Sequence, residues 1–147
     1  MFPDVKPETH GFRDERISRR HREYGWNCPA VDLDFCLVEY NFGKPVALVE
    51  YKHHSAATPN LKHPTYRALR MLADKYSDGS LPFFISFYWP DIWAYRVLPV
   101  NYAAMEHFAD FETVSEREYV KRLYRMRRMT VALELLPKLK TELPEAA

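Results

Sequence analysis

The chain has 147 residues, a formal charge of +1, 47% hydrophobic residues and 15% aromatics. That length fits one domain with one core, and the balanced, aromatic-rich composition excludes a disordered or collagen-like chain. Near-zero net charge argues against a protein that coats nucleic acid nonspecifically, but leaves room for a local basic face.

The first element is basic. Residues 13 to 22 read Arg-Asp-Glu-Arg-Ile-Ser-Arg-Arg-His-Arg, five arginines against two acids, with no Pro or Gly, and predict a helix. Residues 31 to 39 and 46 to 52 are strand-forming runs around a turn containing Asn41, Gly43 and Pro45. They predict a β-hairpin with a loop of several residues. Its apolar residues do not strictly alternate, so both faces should be covered, as in an α/β layer structure.

A helix is expected from about Pro64 to Tyr76, with Leu69, Met71, Leu72 and Tyr76 available for burial and Asp78-Gly79 as its stop. Strands at about Pro82–Trp89 and Ile92–Val97 flank the Pro90-Asp91 turn, and a short helix follows around Tyr102–Phe108. The last helix carries Arg117, Lys121, Arg122, Arg125, Arg127 and Arg128 against Glu118 alone. Ser115 and Glu118 form a capping-box signature at its start, and Pro137 is its expected end. The predicted order is α-β-β-α-β-β-α-α in a single domain, 1–147.

No apolar run approaches the roughly 20 residues that span a bilayer, and no basic-then-apolar signal stretch opens the chain. Cys28 and Cys36 make no disulfide framework. These features predict a cytoplasmic protein without a membrane span.

The chemistry concentrates on the hairpin. Strand side chains alternate faces, so Asp32 and Asp34 share one side of the first strand and Glu50 and Lys52 one side of the second. With the turn centred near Phe42 or Gly43, Asp34 falls beside Glu50 and Asp32 near Lys52. Clustered carboxylates repel, and burial adds a desolvation cost. A hard divalent cation such as Mg²⁺, held by carboxylates, waters and substrate phosphate oxygens, offsets that cost. The lysine would then hold or help deprotonate a water for attack on a phosphodiester.

The pattern Asp34, then sixteen residues on Glu50-Tyr51-Lys52, resembles the PD-(D/E)XK nuclease superfamily. Its core pairs an acid on one strand with an acid-x-lysine triplet on the next. The resemblance covers roughly residues 12 to 100 and implies a restriction-endonuclease-like αββαβ core, with a mixed sheet flanked by helices. Residues 101–140 would be a helical extension ending in the basic helix. It implies Asp34 and Glu50 as metal-binding catalytic acids, Lys52 as the catalytic lysine, and Tyr51 turned to the opposite face. The literal Pro-Asp dipeptide is absent: Pro29 stands three residues before Asp32 and five before Asp34. Asp34 is favoured on spacing, with Asp32 as a second candidate metal ligand. An extra acid from the first helix could be Glu15 or Glu23.

The implied activity is a metal-dependent nuclease hydrolysing phosphodiester bonds in DNA, an endonuclease using Mg²⁺ with Mn²⁺ as substitute. The alternative is an inactive DNA- or protein-binding module on the same scaffold. Arg19, Arg20 and Arg22, with Arg122, Arg125 and Arg128 at three-residue steps, are the expected contacts to double-stranded or branched DNA, since the guanidinium fork matches phosphate. A homodimer would place two sites on two strands. Tyr88, Trp89, Trp93 and Tyr95 suit either core packing or base stacking. His53, His54 and His63 lie close to the triplet, and one of them could stand near the metal or scissile phosphate. Cys28 and Cys36 lack the spacing of a zinc motif.

Overall fold

Five strands and four α-helices form among the residues that the computed structural model describes, 15–25, 27–76, 80–128 and 134–145. The chain divides into two compact units, Met1–Asp32 and Leu33–Ala147. The first holds α1, Glu15–Arg22, within the predicted basic helix; residues 13 and 14 lie outside the described residues. In the last turn of α1, His21 Nε2 is 2.7 Å from the carbonyl oxygen of Cys28.

The larger unit is an α/β layer structure on a five-stranded mixed sheet. Its strands are β1 (Phe35–Glu39), β2 (Lys44–His53), β3 (Phe83–Trp89), β4 (Ala94–Pro99) and β5 (Glu112–Val114), adjacent in that order. β2 and β3 pair in parallel and every other neighbour is antiparallel. The parallel pair needs a crossover, which α2, Pro64–Asp74, supplies. The β1–β2 turn is a 3₁₀ turn, Tyr40–Phe42, closed by Gly43 at φ 59°, a left-handed conformation that glycine adopts without Cβ strain.

One face of the sheet packs on α2, where Leu48, Phe83, Ile85, Phe87 and Leu98 meet Tyr66, Leu69 and Ala73. The other face, with Ala47, Val49, Phe84 and Val97, packs on α3 (Tyr102–Met105) and α4 (Glu116–Met126) through Ala104 and Tyr119. Both faces are covered, as the non-alternating strands imply. The described residues contain no helix long and apolar enough to cross a membrane.

Several boundaries differ from the sequence reading. β1 starts at Phe35, not at residue 31, because Asp34 Oδ2 takes the Tyr51 N–H at 3.0 Å in place of a backbone partner. α2 ends at Asp74, capped by Lys75; Asp78-Gly79 lies outside the described residues. Its buried stripe is Tyr66, Leu69 and Ala73, at i, i+3 and i+7, with Tyr76 partly buried beyond it. Met71 and Leu72, 57% and 59% exposed, fall off that stripe.

α4 starts where the capping box places it, with the Ser115 hydroxyl accepting from the Glu118 N–H at 3.3 Å. It stops at Met126 rather than Pro137, since Arg128 is left-handed at φ 57° and Pro137 lies in a separate 3₁₀ turn, Leu136–Lys138. β5 is an element the sequence reading lacks.

Candidate functional site

The hairpin register brings two acids together. Phe35 pairs with Val49 and Cys36 with Leu48, so one step further along the same ladder Asp34 comes opposite Glu50. A β-bulge between Leu37 and Val38 lies at the turn end, away from this pair. Asp34 Oδ2 is engaged by the Tyr51 N–H.

Glu50 Oε1 is 3.6 Å from Lys52 Nζ and accepts from the Tyr66 hydroxyl at 3.3 Å. Glu50 Oε2 is buried with no hydrogen-bond partner. The Glu50 and Lys52 side chains are 23% and 28% exposed, so the pair sits in a partly desolvated setting where charge interactions are strong.

Tyr66 reports the local field. Burial first, then the charge of Glu50 and the hydrogen bond to it, then the charge of Asp34, hold its hydroxyl well above the ordinary tyrosine pKa. The phenol therefore stays protonated and donates to Glu50, and its sensitivity to Asp34 puts both carboxylates in one electrostatic neighbourhood. The sequence reading passes over Tyr66 because an aromatic at a helix start looks like core. The signal is its place one turn ahead of Leu69 on the face that covers Glu50.

Tyr51 points to the opposite face, as the alternation requires. Its hydroxyl is 2.9 Å from that of Tyr119, which is 2.9 Å from Ser86 Oγ. Burial raises the pKa of Tyr51, with the Tyr119 hydrogen bond opposing, and burial raises Tyr119 further. The middle residue of the triplet thus ties the site strand to α4 while its neighbours face α2.

A buried, unpartnered carboxylate oxygen opposite a second carboxylate is an oxygen-donor set of the kind Mg²⁺ or Mn²⁺ takes. Glu50 Oε2 and the remaining oxygen of Asp34 would hold such an ion, with waters completing its shell. No group of three His, Cys, Asp or Glu suited to a metal occurs among the described residues.

Asp32, Arg19, Arg20, Arg22 and Glu23 belong to the first unit, as does Glu15, whose side chain lies outside the description. Asp32, His21 and Arg22 there line a pocket of about 540 Å³, and Glu23 pairs with Arg20 at 2.7 Å.

In the larger unit, the Arg122 guanidinium is engaged by Glu112, by Glu118 at 3.0 Å and by the His107 carbonyl at 3.0 Å. Arg125 and Arg128 line a cleft of about 530 Å³ around Lys44. Six residues of extended strand, about 20 Å, separate Lys44 from Glu50. Arg128 also lies past the end of α4, so the three arginines do not form one helical stripe.

The histidines have local partners: His63 caps α2 by accepting from the Thr65 N–H, His53 Nδ1 is 2.7 Å from Ser55 Oγ, and His54 stacks on Trp89. Trp93 stacks on Tyr88, and Tyr95 on Tyr119.

Comparison with protein-family models, with curated proteins and with solved structures finds no match to this chain.

Proposed function

We propose that this chain is a divalent-metal-dependent nuclease that hydrolyses phosphodiester bonds in DNA, built on a restriction-endonuclease-like αββαβ core. The observation that carries the reading is the unpartnered, buried Glu50 Oε2 opposite Asp34, with Lys52 against the other Glu50 oxygen. A purely structural Glu50–Lys52 ion pair gives no reason to bury a carboxylate oxygen without a donor, since that costs desolvation energy.

Asp34 and Glu50 would hold Mg²⁺ or Mn²⁺, which supplies Lewis-acid polarisation of the scissile phosphate. Tyr66 would orient Glu50 by occupying Oε1, which leaves Oε2 without a donor. Lys52 would orient the attacking water and stabilise charge developing on the phosphate oxygens.

Incubation with plasmid, single-stranded and branched DNA in Mg²⁺ or Mn²⁺ tests this. Cleavage should fall by at least about 100-fold in Lys52→Ala and Glu50→Gln, in line with the usual contribution of a positioned acid–base group, while both variants stay folded. Cleavage that persists in both variants removes the assignment. A non-cutting DNA- or protein-binding module is the second reading, favoured by the absence of a group of three metal-ligating side chains among the described residues. Mn²⁺ calorimetry separates the two, because the module needs no metal.

A further inference from the structure

The sheet face that carries Glu50 and Lys52 carries one more cation. Lys52 pairs with Phe87 and Phe87 with Arg96, so the three stand in one row across β2, β3 and β4. At about 4.8 Å per strand, the Arg96 backbone is about 10 Å from that of Lys52. The guanidinium carbon lies 5.0 Å from the centre of the Phe87 ring and 5.5 Å from that of Phe111.

Nε is buried and has no hydrogen-bond partner. Among the described residues no carboxylate or carbonyl engages the two terminal nitrogens, and neither of them is buried. The structural arginines of this unit look different: Arg122 is engaged by Glu112 and Glu118, and Arg127 by Glu39 at 3.0 Å.

A half-buried guanidinium clamped between rings but lacking an anion is preorganised for one. The rings fix its plane, and its donor fork fits the oxygens of a phosphate. We propose that Arg96 is a substrate-positioning residue that binds a backbone phosphate about three nucleotides from the scissile one. A separation of about 10 Å suits that spacing, since successive phosphates of one DNA strand advance about 3.4 Å along the axis. The proposal rests on the nuclease reading above. Lys52 then serves the reacting phosphate, and Arg96 sets the register of the strand.

Arg96→Met keeps the stem between the rings and removes the charge. Binding of a labelled duplex oligonucleotide, read by fluorescence anisotropy in EDTA to prevent cleavage, should weaken about tenfold at low salt. The slope of log affinity against log salt should become shallower by about one phosphate's worth, close to 0.9. In Mg²⁺ the KM should rise with kcat little changed, and Arg96→Lys should restore most of the salt slope. A merely structural arginine would lower the melting temperature and leave the slope alone.

If Arg96→Met does not fold, the wild-type Arg96 Nε–H resonance, followed by NMR during titration with the oligonucleotide, gives the answer. It should shift on binding, and an unmoved resonance overturns the proposal. Wild-type protein that cuts DNA while Arg96→Met keeps its affinity and slope overturns the Arg96 role alone. Wild-type protein that neither cuts nor binds DNA overturns both readings.

Discussion

The Tyr66 hydroxyl and the Lys52 ammonium share Glu50 Oε1. Tyr66 donates to Oε1 at 3.3 Å, and the ring beneath that hydroxyl is part of the core under α2. Tyr66→Phe therefore separates positioning from packing, because the ring stays and only the donor is lost. Outer-shell partners of metal ligands typically contribute 10–100-fold in affinity or activity. Mn²⁺ affinity in Tyr66→Phe should drop by about tenfold, with the melting temperature nearly unchanged, and calorimetry beside thermal unfolding checks both. Affinity equal to wild type would show that Glu50 needs no orienting donor.

At this scale the sequence makes Asp34, Glu50 and Lys52 legible, because parity along a strand and a hairpin centre are local properties. Tyr66 and Arg96 are not legible in the same way. Each reaches the neighbourhood through a crossover and strand pairing that no local pattern contains.

Among the elements, what is strongly periodic or capped is readable: the hairpin, α2 and the Ser115 start of α4 all fall close to their predicted places. β5 is not, since three residues are too short to show a period of two. The side of the sheet that α4 covers is also hidden in one dimension. Its apolar stripe packs through Tyr119, Leu123 and Met126 on the face opposite Glu50 and Lys52. The basic helix thus does not share the acid pair's face, although the sequence places its arginines as natural partners for the same phosphates.

What holds the elements in register is Asn101, fully buried after β4. Its Oδ1 accepts from the Phe83 N–H at 3.0 Å and from the Ala104 N–H at 3.1 Å, and its Nδ2 donates to Asp74 at 2.8 Å and to the Leu81 carbonyl at 2.7 Å. One amide joins the end of α2, the start of β3 and the N-terminus of α3, with both donors and both acceptor sites in use. Asn101→Ala leaves buried backbone groups at Phe83 and Leu81 unpaired, at about 1–3 kcal/mol each. A total loss of about 3 kcal/mol is expected in urea unfolding. A loss below about 1 kcal/mol would mean that water replaces the amide.

Across the whole molecule the sheet separates two chemistries. The α2 face carries the acid pair, Lys52 and Arg96, and the α4 face carries a phenol network of Tyr51, Tyr95 and Tyr119 around Ser86. Burial of phenols on both faces bears on how stability depends on pH. Burial is the largest cause in each case, and it raises the pKa of Tyr51 and Tyr119 and lifts Tyr95 to about 12. Tyr66 on the other face is raised as well.

A group whose pKa is higher folded than unfolded binds more protons in the folded state at alkaline pH. Its contribution is intact below the unfolded tyrosine value near 10 and fades as pH climbs through the folded values. His107 acts in the opposite sense. Burial first, with Arg125 and Arg122 adding and Glu106 opposing, lowers its pKa, so its contribution is present above about 6.5 and is lost as pH falls below it.

The urea midpoint of the larger unit should therefore hold a plateau from about pH 7 to 9.5 and fall on both sides, more steeply on the alkaline side where four groups act together. Ionisation of Tyr51, Tyr66, Tyr95 and Tyr119 should accompany unfolding rather than precede it. In His107→Asn the acid shoulder should flatten while the alkaline limb stays. In Tyr95→Phe, which keeps the stacked ring and loses only the phenol, the alkaline limb should become shallower. An alkaline limb unchanged in Tyr95→Phe would mean that this phenol ionises without opposing the fold.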